Sequence, residues 1–267
     1  MSSFSEPSPI SAIFPEAPEG LQVARRKKFN GTVKRIDQWL ANLGYCSRSE
    51  ARSWTDADRV LVNGQPEYDS GKRVAAAAVR VDGEPLDHPA GLLLLMNKPM
   101  DAVCSHDSRE GQRVYDLLPA RWSRRNPLVT TIGRLDRDTT GLLLLTDQTE
   151  LVHRLTSPKY KVPKVYRATL DAVASPDQQS AIAATFASGQ LMLADENKPC
   201  LPAEVTWIAP RIAEVILTEG RYHQVRRMFA SQGLTVLGLE RRRFGLVDLP
   251  ADLPLGGYLE LPLDQKF

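Results

Sequence analysis

The sequence of 267 residues has little with which to staple or metallate a small fold. It holds three cysteines, Cys46, Cys104 and Cys200, far apart and without a Cys-x-x-Cys, so neither a disulfide framework nor a zinc cage is indicated. Its four histidines are scattered, and none falls in His-Glu-x-x-His. No apolar run approaches the roughly 18 residues of a membrane span. Met1 to Ile10 lacks the basic start and apolar stretch of a secretory signal. Neither charge dominates: 34 basic residues face 32 acidic ones, so affinity for a polyanion would have to come from their distribution. These absences make a reducing cytoplasm the expected compartment, with no membrane partner. A monomer is expected, because no surplus apolar helix or strand demands a partner. What remains is ordinary globular composition, long enough for two domains.

Residues 1–30 are rich in Ser and Pro, end in Arg25-Arg26-Lys27-Lys28, and are expected to be a disordered tail. Residues 33–87 read as a small module. Val33, Ile36, Trp39, Leu40 and Leu43 recur at helical spacing before Gly44, and Ser47 with Glu50 forms a capping signature for a second helix over about 48–57. Val60 to Val62 before Asn63-Gly64, and Val79 to Val81 before Asp82-Gly83, are strands followed by turns. The link near Asp87 to Gly91 carries Pro89 and Gly91 and little that would lock it.

From Leu92 the pattern changes. Leu92 to Met96 and Leu142 to Leu145 are short continuous apolar runs, which suit strands covered on both faces. Further strands are expected over 165–170, 205–208 and 213–217, and helices over 147–155, 177–188 and 223–232. Without regular βαβ alternation, residues 91–267 are expected to form an α+β domain.

Four segments could carry chemistry. Gly133 to Asp147 is a charged loop between glycines leading into a buried strand, where a carboxylate would be held on rigid scaffolding beside Arg134 and Arg137. On residue types alone, a charged turn is the better reading. Asp136, Asp138, Thr140, Gly141 and Asp147 also imitate part of a calcium loop, but the last ligand is not Glu and the intervening stretch is solid leucine. Glu219 to Phe229 combines an apolar stripe (Val225, Met228, Phe229) with Arg221, Arg226 and Arg227, and reads either as a solvated basic helix face or as a phosphate contact. In Lys164 to Ala168 one aromatic, Tyr166, stands between cations. Asn97-Lys98-Pro99 reads in isolation as a strand end with a solvated lysine. Basic clusters at Arg121, Arg124 and Arg125, at Lys159, Lys161 and Lys164, and at Arg241 to Arg243 raise the odds of a nucleic-acid groove.

Together these segments resemble the pseudouridine synthases, specifically the RsuA type that modifies ribosomal RNA. Gly133 to Asp147 is similar to the family's aspartate motif, with supporting matches at Leu95 to Pro99, Lys164 to Ala168 and Glu219 to Phe229. Residues 33–87 resemble the α-L (S4-like) RNA-binding domain that precedes the catalytic domain in many members. Asp56 to Arg59 departs from the glycine often found there, which puts that module's turn in doubt.

The resemblance implies a catalytic domain on a mixed, mainly antiparallel sheet with flanking helices, and isomerisation of a uridine without metal or other cofactor. It implies that Asp136 acts on the ribose, either by attack or by taking the C2′ proton, and that both roles need an ionised carboxylate. Arg221 would pair with Asp136 in a partly buried ion pair, and Tyr166 would lie against the uracil. Arg134 would hold the phosphate of the flipped nucleotide. Lys98, Lys164, Gln224, Arg226, Arg227 and, in the small module, Arg48 would contact RNA. Val103 to Asp107, Leu155 to Lys159 and Glu219 to Phe229 look most like the small-subunit enzyme acting on 16S rRNA, at a site of the uridine-516 type. The implied partner is then ribosomal RNA or an assembling small subunit. Alternatives are a 23S rRNA enzyme and a non-catalytic RNA-binding assembly factor.

Overall fold

The computed structural model describes residues 32–267; the segment expected as a tail, with Arg25 to Lys28, lies outside the described residues. The first module runs β1 (Val33–Arg35), α1 (Ile36–Asn42), α2 (Ala51–Asp56), β2 (Val60–Val62), β3 (Gln65–Pro66), β4 (Arg73–Ala75), β5 (Val79–Val81) and β6 (Glu84–Pro85). Strand β1 pairs with β4, and the other four form a sheet in the order β3-β2-β5-β6. Both two-residue turns are left-handed at both positions, Asn63-Gly64 at φ 52° and 81° and Asp82-Gly83 at 51° and 86°, as right-twisted hairpins require.

Val33 belongs to β1 and is exposed, whereas Ile36, Trp39 and Leu40 bury the face of α1. The second helix starts at Ala51, later than expected. The Ser47–Glu50 signature still forms, the Ser47 amide donating to the Glu50 carboxylate at 2.8 Å and the Glu50 amide to Ser47 Oγ at 3.3 Å. In the turn over Asp56 to Arg59, Asp58 adopts φ 57° and its carboxylate accepts from Tyr68 Oη at 2.9 Å.

The second domain contains β7 (Leu93–Lys98), β8 (Thr130–Ile132), β9 (Thr139–Thr146), α3 (Thr149–Thr156), β10 (Lys164–Leu170), α4 (Pro176–Ala187), β11 (Glu204–Ala209), β12 (Ile212–Leu217), α5 (Gln224–Ala230), β13 (Val236–Phe244), β14 (Val247–Asp248) and β15 (Tyr258–Glu260). Its nine-stranded sheet has the order β11-β12-β10-β13-β9-β7-β15, with β8 on β9 and β14 on β13. Every pairing is antiparallel except β9 with β13.

The leucine runs are split by the period of two. Leu94, Met96, Leu143 and Leu145 face one core, and Leu93, Leu95, Leu142 and Leu144 the other. Strand β13 is the main element missed, because Arg241-Arg242-Arg243 reads as a basic surface. It is a central strand whose Val236, Leu239, Arg241 and Phe244 are buried. Gly141 in β9, at φ 99°, makes room for it: a Cβ there would come within 2.8 Å of the Arg241 amide nitrogen.

The link between domains is clamped, not loose. The Asp87 carboxylate accepts from Trp122 Nε1 at 2.7 Å and from Arg121, and Oδ1 lies 3.1 Å from His88 Nε2. Arg125 donates to the Asp87 and His88 carbonyls at 3.1 and 2.8 Å, while its Nε pairs with the buried Asp147 at 2.9 Å. On the module side, Tyr45 Oη accepts from the Asp87 amide at 3.0 Å, and the Asn42 carbonyl accepts from the Asn126 amide at 2.9 Å. Pro and Gly in the link mark local backbone freedom; the partners that remove it come from residues 40–50 and 120–150, where sequence proximity gives no hint.

Candidate active site

The loop from Gly133 to Asp138 joins β8 to β9 and is fastened along its backbone. The Arg137 carbonyl accepts from the Asp101 amide at 3.0 Å, and the Asp136 carbonyl from the Thr139 amide at 3.1 Å. Lys98, at the end of β7, is wholly buried, and its ammonium donates to the carbonyls of Pro99, Arg137 and Thr139 at 3.0, 3.2 and 2.9 Å. Burial pushes its pKa below the ordinary lysine value, against the pull of Cys104 and of Asp138, Asp101 and Asp136. Lys98 is therefore a strut under the loop, not the RNA contact expected of it.

The loop lifts Asp136 into a cavity of about 660 Å³. Its walls are the aspartate loop, the end of α3, the start of β10, the turn after β12 with the start of α5, and β13. The Asp136 side chain is 37% exposed, and His223 Nε2 stands 3.6 Å from its carboxylate. Tyr166 lines the same cavity from β10, where it pairs in register with Arg241 of β13. Lys164, two residues earlier and so on the same face, donates to the Val162 carbonyl at 3.0 Å. Burial, with Arg241 nearby, brings its pKa down to about 8. Arg134 is exposed at the cavity wall.

Arg221 also lines the cavity but makes no pair with Asp136. Its guanidinium is taken by Glu219 at 3.2 Å, Glu196 at 3.3 Å and the carbonyls of Lys198 and Pro199. Two acids and two carbonyls take four of its five N–H donors and hold the fork away from Asp136. The guanidinium that does reach the aspartate loop belongs to Arg226, which meets Asp138 through its carboxylate at 2.9 Å and its carbonyl at 3.1 Å, and the Val236 carbonyl at 2.7 Å. Arg227 binds Glu196 at 3.0 Å, the Tyr222 carbonyl at 3.2 Å and the Ala194 carbonyl. Gln224 is buried, accepting from the Arg221 amide at 2.9 Å and donating to Glu219 at 2.6 Å. The side chains of Gln224, Arg226 and Arg227, each expected to contact RNA, are thus held by neighbouring acids and backbone groups. Arg48 leans on Asp37 at 3.3 Å but stays 58% exposed.

Sequence reasoning missed His223, which caps α5 in a left-handed conformation at φ 49°, and Tyr222, exposed and stacked on it with ring centroids 3.9 Å apart. A histidine beside a tyrosine in a basic segment carries no signature of facing a carboxylate 87 residues away. The basic clusters also divide: Arg125 and Arg241 are buried and Arg121 serves the clamp, whereas Arg124, Lys159 and Lys161 remain exposed. The calcium-loop spacing is not assembled, because the Asp147 carboxylate is buried against Arg125 and the Leu92 amide.

A family model described as RNA pseudouridylate synthase matches residues 92–231, and an S4 domain model matches residues 34–77. The chain is 36% identical over 234 residues to a ribosomal small subunit pseudouridine synthase A of Pasteurella multocida, covering 86% of this chain and 97% of that protein. It is 36% identical over 232 residues to an uncharacterized RNA pseudouridine synthase of Bacillus subtilis, covering 85% of this chain and 94% of that protein. A crystal structure of a pseudouridylate synthase superposes with a TM-score of 0.58 at 32% identity, covering 86% of this chain and 96% of that one.

Proposed function

From the premise that the chain belongs to the RNA pseudouridylate synthase family, with an N-terminal S4 domain, we propose that it isomerises one uridine of small-subunit ribosomal RNA to pseudouridine, with Asp136 acting on the ribose. The observation that carries this reading is the placement of the Asp136 carboxylate and the Tyr166 ring on one cavity, with the carboxylate on a loop braced by Lys98 and Arg226.

A target base stacked in RNA hides its reacting atoms, so the nucleotide turns out of the stack, at a cost of a few kcal/mol, and enters the cavity. Arg134 holds its phosphate at the rim. Asp136 then acts on the sugar, by attack at C1′ or by removal of the C2′ proton. Tyr166 lies along the uracil face and keeps the detached ring beside the sugar until the carbon–carbon bond forms. Arg226 fixes the loop that carries Asp136 by holding Asp138. Arg48 extends the cationic surface on the RNA-binding domain. We take that domain as residues 33–87 and the catalytic domain as 91–267, a division supported by core clusters that part between Leu86 and Leu92. The reading extends to a single chain working in the cytoplasm on ribosomal RNA or an assembling small subunit. The small-subunit target is supported by the name of the Pasteurella relative, a ribosomal small subunit pseudouridine synthase A.

The test is to map pseudouridine in the ribosomal RNA of a strain lacking the gene. The expected result is loss of one pseudouridine from 16S rRNA, at the 516-type site, restored by the wild-type gene. Loss from 23S rRNA would move the target, and an unchanged map would overturn the reading.

A further inference from the structure

Arg241 is a buried cation without a carboxylate partner among the described residues. It is 1% exposed in the middle of β13. Its Nε donates to the Leu142 carbonyl at 2.7 Å, and its guanidinium carbon lies 5.4 Å from the centre of the Phe244 ring. No carboxylate lies within ion-pair distance of it among the described residues, and Nη2 is buried without an acceptor. A buried guanidinium left this way costs several kcal/mol unless a ligand completes it. Arg125, in the same domain, shows the ordinary solution: it has Asp147.

Arg241 also lines the cavity that holds Asp136 and Tyr166. The second cation of that floor, Lys164, is close enough for Arg241 to depress its proton affinity. The acids on the cavity are committed elsewhere: Glu219 to Arg221, Gln224 and the Leu201 amide, while Asp136 faces His223. Arg134, Arg221 and the His223 imidazole complete the polar lining. The floor beside Tyr166 therefore holds two cations that no carboxylate meets at ion-pair distance among the described residues, although Glu219 acts on Lys164 from further away.

Resting on the function proposed above, the reaction supplies that anion. When the C1′–N1 bond breaks, its electron pair leaves with the base, and the detached uracil carries a negative charge spread over N1, O2 and O4. C5 then forms the new bond to C1′, the C5 proton leaves, and N1 takes a proton from water, so atoms and charge balance. We propose that Arg241, with Lys164, binds the detached uracil anion through its carbonyl oxygens and stabilises it while it turns. The site is complementary to charge that exists only after bond cleavage, which is where fixed donors accelerate a reaction most. It does so whichever role Asp136 plays.

The experiment compares single-turnover consumption of the target nucleotide by wild type, Arg241→Gln and Lys164→Met on an rRNA fragment carrying uridine or 5-fluorouridine there, read as loss of the starting nucleoside because a C5 fluorine cannot leave as the C5 proton does. Fluorine stabilises the ring anion by itself, so a protein group with the same task matters less. Losing one such donor typically costs about 100- to 1000-fold. Arg241→Gln is expected to lose about that much on uridine, at least tenfold less on 5-fluorouridine, with RNA affinity near wild type; Lys164→Met should show the same pattern, smaller. Equal loss on both substrates, or none, overturns the proposal. Should Arg241→Gln not fold, the comparison for Lys164→Met decides in the same way. A wild-type enzyme that converts uridine in no ribosomal RNA overturns instead the function on which this rests, and this inference with it.

Discussion

Three cations of the catalytic domain lie out of water, and each meets that cost with different partners. Lys98 has three carbonyls, Arg125 has a carboxylate, and Arg241 has one carbonyl and an idle Nη2. Lys164 is the intermediate case, bonded to one carbonyl and shifted to about 8 from an ordinary value near 10.5. Its folded state binds the proton more weakly than its unfolded state does. The strain of charging it is thus fully present below pH 8 and relieved as pH rises towards 10.5. Urea unfolding from pH 7 to 10.5 should show wild type gaining stability relative to Lys164→Met above pH 8 and none below it. Parallel pH profiles would mean that the amine is not desolvated in the fold.

Among the elements, the pair β9–β13 decides the position of the site, because it sets the aspartate loop against Tyr166 and Arg241. Its close approach depends on Gly141. Gly141→Ala places a Cβ against the Arg241 backbone in a left-handed conformation, and should cost about 1–3 kcal/mol in denaturant unfolding, with activity falling alongside. A variant as stable as wild type would show that the strands can part without consequence. Strands β7 and β9 were legible because continuous leucine has one comfortable place, between two cores. Strand β13 was not, because a buried arginine looks in sequence like a solvated one. The same limit governs the site. Asp136 and Tyr166 stood out as segments, and both face the cavity. Lys98, Arg221, Gln224, Arg226 and Arg227 were assigned to RNA or to Asp136, yet mostly hold backbone carbonyls and neighbouring acids. A carbonyl acceptor has no residue type, so the sequence carries no trace of it.

For the whole molecule, the clamp at Asp87 makes the S4 domain and the catalytic domain one body around the link. Burial alone would raise the Asp87 pKa, but hydrogen bonds from Trp122 and Arg121 outweigh it and hold the carboxyl below its usual range. The clamp's contribution is accordingly present above the unfolded-state pKa and fades as pH falls through the lower folded value. Asp87→Ala should leave both cores intact but open the chain between Pro85 and Leu92 to limited proteolysis, where wild type resists; equal resistance would show that the remaining contacts suffice. On the proposed function, RNA bound by the first domain would be presented to the cavity of the second, so binding and chemistry should be separable. Asp136→Asn separates them most directly. The variant keeps the size of the side chain and the backbone bond from Thr139 and removes the carboxylate charge. Measured on the same rRNA fragment, it is expected to bind RNA within about threefold of wild type and to form no pseudouridine. Turnover at the wild-type rate would contradict the assignment of the chemistry to this carboxylate.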